Sequence, residues 1–131
     1  MINLRGQLEL IDELALLVQN QIAGEDRESF ISNREVSDLA SYRLGTIGEY
    51  IKRIPDDIRD RYPNLPWKEM AGFRDIMAHH YDRLDTNIVW RTATTRLEEV
   101  REMCRAELLR LDLERAREER AQRDRDGGRD R

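Results

Sequence analysis

The eight residues from Arg74 to Tyr81, R-D-I-M-A-H-H-Y, gather a permanent cation, a group that titrates near neutrality and a phenol. The guanidinium of Arg74 stays charged and its forked donors match phosphate oxygens, while the imidazole of His79 takes or gives a proton at cellular pH. Those types suit RNA cleavage without a metal. That reaction needs a base for the ribose 2′-hydroxyl, an acid for the leaving 5′-oxygen, and positive charge beside the crowded phosphorane between them. The same residues also have plainer uses: a last-turn histidine complements a helix's negative end, an arginine makes surface ion pairs, and a tyrosine packs half-buried.

Helical geometry constrains the chemical reading. At about 100° per residue, Arg74 and His79 point about 140° apart, whereas Arg74 and Tyr81 nearly share a face. Either the helix loosens before His79, or two copies meet across a two-fold axis and pool their residues. The homodimer is the expected solution. Other chemistries are poorly served. Adjacent His79 and His80 do not readily face one ion, and no acidic residue recurs at zinc or di-iron spacing, so no metal and no cofactor is expected. Cys104 is the only cysteine, which rules out an intrachain disulfide, and its place on an apolar stripe reads as core.

The elements that must hold this stretch are helical. Leu4, Leu8, Ile11, Ala15, Val18 and Ile22 draw one stripe, which Gly24 should stop. After a polar stretch from Glu25 to Asn33, Ser32-Asn33-Arg34-Glu35 has capping-box form and predicts a second helix. Its stripe runs Val36, Leu39 or Ala40, Arg43 or Leu44, Ile47, Ile51 and Ile54 up to Pro55. Asp56 to Tyr62 suits a short helix, Pro63 to Pro66 a turn, and the segment from Trp67 to His79 or His80 a third main helix that buries Met70, Phe73 and Met77. A break at Asp82 to Asp85 precedes one last long helix, capped by Asp85 or Asn87, with Leu97, Val100, Cys104, Leu108 and Leu111 inward. No strand pattern competes. From Glu114 to Arg131 the stripe vanishes and seven arginines mix with six acidic residues, which predicts a solvated helix extension or a disordered tail. The expected division is therefore 1–113 for one helical domain and 114–131 for the charged extension.

Composition agrees. In 131 residues, 38% are charged and only 6% aromatic, a balance that fits amphipathic helices around a thin core. Thin cores are commonly thickened by self-association. The formal net charge of -4 gives no broad basic surface, so phosphate recognition must be local. The first residues carry charge too early for a signal peptide, no window is apolar enough for a membrane span, and a cytoplasmic location is expected.

Arg74, His79 and Tyr81 form an R-x-x-x-x-H-x-Y pattern that resembles the signature of HepT-like proteins, a branch of the HEPN superfamily. The likeness extends to Arg43, to Ile47-Gly48-Glu49-Tyr50, to Leu65-Pro66-Trp67, to Ala71-Gly72-Phe73-Arg74-Asp75, and to Asp85 with Val89-Trp90. The resemblance implies an all-α, HEPN-type antiparallel helical bundle that dimerises. It further implies an endoribonuclease toxin of a HepT/MntA-like type VII toxin–antitoxin system, with a composite site of Arg74 and His79 from both chains at the dimer cleft. The partner it implies is an MNT-type nucleotidyltransferase antitoxin that attaches AMP to Tyr81. Asp75 would support the site by orienting Arg74 or binding RNA. Three features depart from the pattern: Tyr50 replaces a small residue, His80 adds a second titratable group, and the charged tail has no counterpart. The competing expectation is a non-enzymatic helical module that binds a nucleotidyltransferase or another protein.

Overall fold

The computed structural model describes residues 2–129. Helix α1 spans Leu4–Ile22, with the Asn3 side chain accepting the Gly6 N–H at its start. Leu8, Ile11, Ala15, Val18 and Ile22 are all buried, as the three-four spacing requires. Gly24 lies in the turn that follows, without a positive φ. The next segment departs from expectation. Arg27–Ser32 forms a short helix, α2, whose capping box joins Asp26 and Ser29 rather than Ser32 and Glu35. Asn33, not Ser32, then caps α3 (Arg34–Ile51) by accepting the Val36 N–H. The polar stretch hid α2 because its apolar anchor is essentially one residue, Phe30, buried against the Trp90 ring at 5.1 Å between centroids.

Helix α3 ends before Pro55, and α4 (Asp56–Arg61) folds back on that end. Arg59 donates to the carbonyls of Ile51, Lys52 and Ile54, which satisfies oxygens that the terminated helix leaves without partners. Its guanidinium also lies over Trp67, the first residue of α5 (Trp67–His79), whose indole donates to the Tyr62 carbonyl. After α5 the chain takes a single 3₁₀ turn at Tyr81–Arg83 and is recapped by Asp85 for α6 (Thr86–Thr95).

The predicted single last helix is two. It breaks at Arg96, and α7 runs Leu97–Arg129. The break follows a threonine-rich turn in which the hydroxyls of Thr94 and Thr95 bond back to the carbonyls of Trp90 and Arg91, a competition with the backbone ladder that disfavours continuation. Beyond Leu111 the α7 side chains through Gly127 are exposed.

Cross-links fix the topology as antiparallel. Arg5 meets Asp112 and Asp12 meets Arg101, so α1 and α7 run opposite ways; Gln21 near the end of α1 reaches Val36 near the start of α3. Gly45 faces Met77 while Gly48 faces Met70, so α3 and α5 are also antiparallel. The core lies between these four long helices, with Leu44, Ile47, Met70, Leu97 and Met103 almost fully enclosed. Burial of each such side chain contributes about 1.5 to 3 kcal/mol before conformational entropy is set against it. Among the described residues every regular element is helical, and no helix is long and apolar enough to cross a membrane.

Candidate active site

The site begins with a glycine. A Cβ on Gly48 would lie 2.2 Å from the Met70 carbonyl oxygen, so only glycine lets α3 and α5 cross at this distance. Gly45, one turn earlier, admits the Met77 side chain in the same way. This close crossing carries Glu49 to Arg74. Glu49 Oε2 accepts from Arg74 Nε at 2.9 Å, and its other oxygen accepts from Arg53 at 3.0 Å. The Arg53 hydrogen bond first, with help from the Arg74 charge, outweighs burial and holds the Glu49 carboxyl below its ordinary value. Among the described residues no hydrogen bond engages the Nη atoms of Arg74. The guanidinium is thus fixed by one nitrogen and keeps its fork available.

Arg74 lines an open groove of about 340 Å³ with Tyr42, Gly45, Thr46, Glu49, Tyr50, Met77 and Ala78. Tyr42 stands 65% exposed beside it. His79 is the last residue of α5, exposed, and is not part of that lining. The helix does not loosen before His79. It breaks one residue later, at His80, which leaves helical geometry with φ near -142°.

That break also moves Tyr81. Its sequence spacing puts it on Arg74's face only if α5 continues, but Tyr81 opens the 3₁₀ turn and its hydroxyl donates to Asp38 of α3 at 2.7 Å. It borders a second depression, with Ile31, Arg34, Asp38, Asp82, Leu84 and Thr86. The Asp38 hydrogen bond, with partial burial, raises the phenol above its ordinary value. Asp75 does not orient Arg74 by a hydrogen bond. It accepts from Lys52 Nζ at 2.5 Å, and that bond is the main cause of its lowered carboxyl. Glu49 takes the orienting role instead, and the only sequence signal for it was its place beside Gly48. Asp38 and Lys52 gave none, because their partners lie 43 and 23 residues away.

One chain therefore presents a groove walled by the Arg74–Glu49 pair, an exposed imidazole outside it, and a phenol in a second depression. Among the described residues no group of three or more His, Cys, Asp and Glu side chains converges as a metal site would require. The all-α bundle is consistent with a HEPN-type fold. The family model described as "Ribonuclease HepT-like" matches residues 5–107, and the chain belongs to that family. It is 37% identical over 94 residues to "Putative RNase MJ1216" of Methanocaldococcus jannaschii, covering 72% of this chain and 74% of that one. It is 42% identical over 76 residues to "Putative RNase MJ0125" of the same organism, covering 58% and 66%. It is 34% identical over 85 residues to "Probable ribonuclease HepT" of Thermococcus cleftensis, covering 65% and 71%. No solved structure matches the chain.

Proposed function

We propose that this chain is a metal-independent endoribonuclease that acts as the toxin of a toxin–antitoxin pair. The observation that carries the reading is the state of Arg74, held at Nε by Glu49 in the wall of an open groove with its Nη fork unengaged. A phosphate entering the groove finds a planar bidentate donor already oriented. His79 stands outside the groove of its own chain, so the base and acid steps require a two-fold pairing that sets His79 of one chain beside Arg74 of the other. In that dimer cleft His79 of one chain takes the 2′-hydroxyl proton, the 2′-oxygen attacks phosphorus, and the bond to the 5′-oxygen breaks as His79 of the other chain supplies that oxygen with a proton. The products carry 2′,3′-cyclic phosphate and 5′-hydroxyl ends. Purified protein in EDTA should cut RNA while His79→Ala does not; equal cleavage by both would remove the histidine from the mechanism.

Tyr81 serves control. An MNT-type nucleotidyltransferase transfers AMP from ATP to the Tyr81 oxygen, forming a phosphodiester there and releasing pyrophosphate. Tyr81 is 44% exposed, and Asp38 already accepts the proton that the hydroxyl must give up. The phosphodiester adds negative charge just past the end of the helix that carries Arg74 and His79, which disfavours the approach of RNA phosphate. Intact mass after incubation with such a partner and ATP should rise by one or more AMP groups, and Tyr81→Phe should abolish the rise. The competing reading, a non-enzymatic module that docks a protein partner, draws on the long exposed surface of α7. Growth arrest on expression that survives both Arg74→Ala and His79→Ala would select it.

A further inference from the structure

Helix α7 carries a second apolar stripe that the fold does not use. Its inner face holds Leu97, Val100 and Cys104, with Leu111 packed at the core's edge. At about 100° per residue, Ala106, Leu109, Leu113 and Ala116 fall on the opposite side, at the alternating three-four spacing of a coiled-coil seam. Leu109 is 58% exposed and Leu113 50%, and both border a shallow groove with Ala106, Arg110, Glu114 and Arg117. The same spacing continues outward in both directions. Toward the helix start the seam positions are Glu102 and Glu99, and toward its end they are Arg120 and Arg123. Glu99 pairs with Arg96, whereas Glu102, Arg120 and Arg123 enter no ion pair among the described residues.

Acid, apolar, base is a self-complementary order. We propose that this face of α7 pairs antiparallel with the same face of a second copy, centred on Leu111. In that register Leu109 meets the partner's Leu113 and Ala106 meets the partner's Ala116. Glu102 meets the partner's Arg120, and Glu99 the partner's Arg123, with every contact repeated by the two-fold axis. A parallel pair would set glutamate on glutamate and arginine on arginine, so charge order selects the antiparallel one. The acidic end opens on a cleft of about 370 Å³ between Glu99, Glu102 and Ala106 on α7 and the segment Arg61 to Leu65, where Arg61 is already held by Glu107 and the two seam glutamates remain to meet incoming arginines. Leu109, Leu113, Ala116, Arg120 and Arg123, five of the eight seam positions, lie beyond the residues 5–107 matched to the family. The seam shares no residue with the Arg74 groove, and the pairing does not depend on RNA cleavage.

Sedimentation of the full chain tests the pairing. Leu109→Asp should halve the mass of the wild-type assembly, whatever other contact the chain makes, with its helical circular dichroism retained because Leu109 is exposed. Glu102→Arg and Arg120→Glu should each weaken association about tenfold when alone, by placing like charges face to face. An equimolar mixture of those two variants should restore it, since every reversed charge then meets a reversed partner. A monomeric wild type, an unchanged mass for Leu109→Asp, or no recovery in the mixture would overturn the proposal. So would a face used by the nucleotidyltransferase instead, seen as lost partner binding by Leu109→Asp with the chain's own mass unchanged.

Discussion

Among the described residues two arginine–glutamate pairs tie helices together, and their surroundings separate them. Arg74 and Glu49 join α5 to α3 at the edge of an open groove, each about a third exposed. Arg61 and Glu107 join α4 to α7, and there Glu107 is 2% exposed, takes a second bond from the Tyr62 hydroxyl at 2.8 Å, and lies near Arg110. In the first pair the arginine keeps its Nη fork free; in the second the glutamate is saturated. Identical chemistry thus leaves a partly unengaged guanidinium at the wall of a groove in one place and a fully engaged carboxylate between helices in the other. The difference is solvent access and the number of partners, which no property of the two side chains alone encodes.

The comparison can be broken from either side. Arg74→Ala should lower RNA cleavage by about 100 to 1,000-fold, the scale for removing a group that stabilises transition-state charge, while unfolding free energy shifts by less than about 1 kcal/mol. Denaturant titration beside a cleavage assay checks both halves. Glu107→Ala should do the reverse, costing about 3 kcal/mol of stability because Arg61 and Tyr62 lose their shared acceptor, with cleavage by the folded fraction unchanged. An activity loss at full stability would place Glu107 in the site.

Gly48→Ala sharpens the link between packing and site. The added methyl meets backbone rather than a movable side chain, so α5 must shift at a cost of about 1 to 3 kcal/mol, and Arg74 shifts with it. Cleavage should fall in step with the melting temperature, unlike either charge variant. The smallest effect concerns acid. Burial pushes the Glu107 carboxyl up, but the bonds from Arg61 and Tyr62 and the charges of Arg61 and Arg110 outweigh it and leave its pKa below the ordinary 4.5. A lowered carboxylate adds stability that is fully present above the ordinary value and is lost as pH falls through the folded one. Stability should therefore decline below about pH 4.5, and the decline should be shallower in Glu107→Gln.

Burial also pushes the Cys104 thiol up to about 12, consistent with its reading as core; native protein should resist thiol reagents that label it once unfolded.

The amino-acid sequence by itself determined α1, α3 and α5 and the inward stripe of α7, because a three-four spacing of apolar residues must meet a common core. It missed the break at Arg96 that separates α6 from α7, and it placed Met77 inward where the structure sets it in the groove wall. It also marked Arg74, His79 and Tyr81 as a group, through their types and their order. Only the tertiary structure decided what each of them faces. The helix stops at His80 instead of carrying Tyr81 round to the face of Arg74, and Asp38 claims the phenol. Glu49, and not the adjacent Asp75, holds the arginine, because a glycine crossing brings α3 within reach while Lys52 takes Asp75. Such partners are set by how helices cross, and crossing is a property of shape and contact between distant segments that local spacing does not contain.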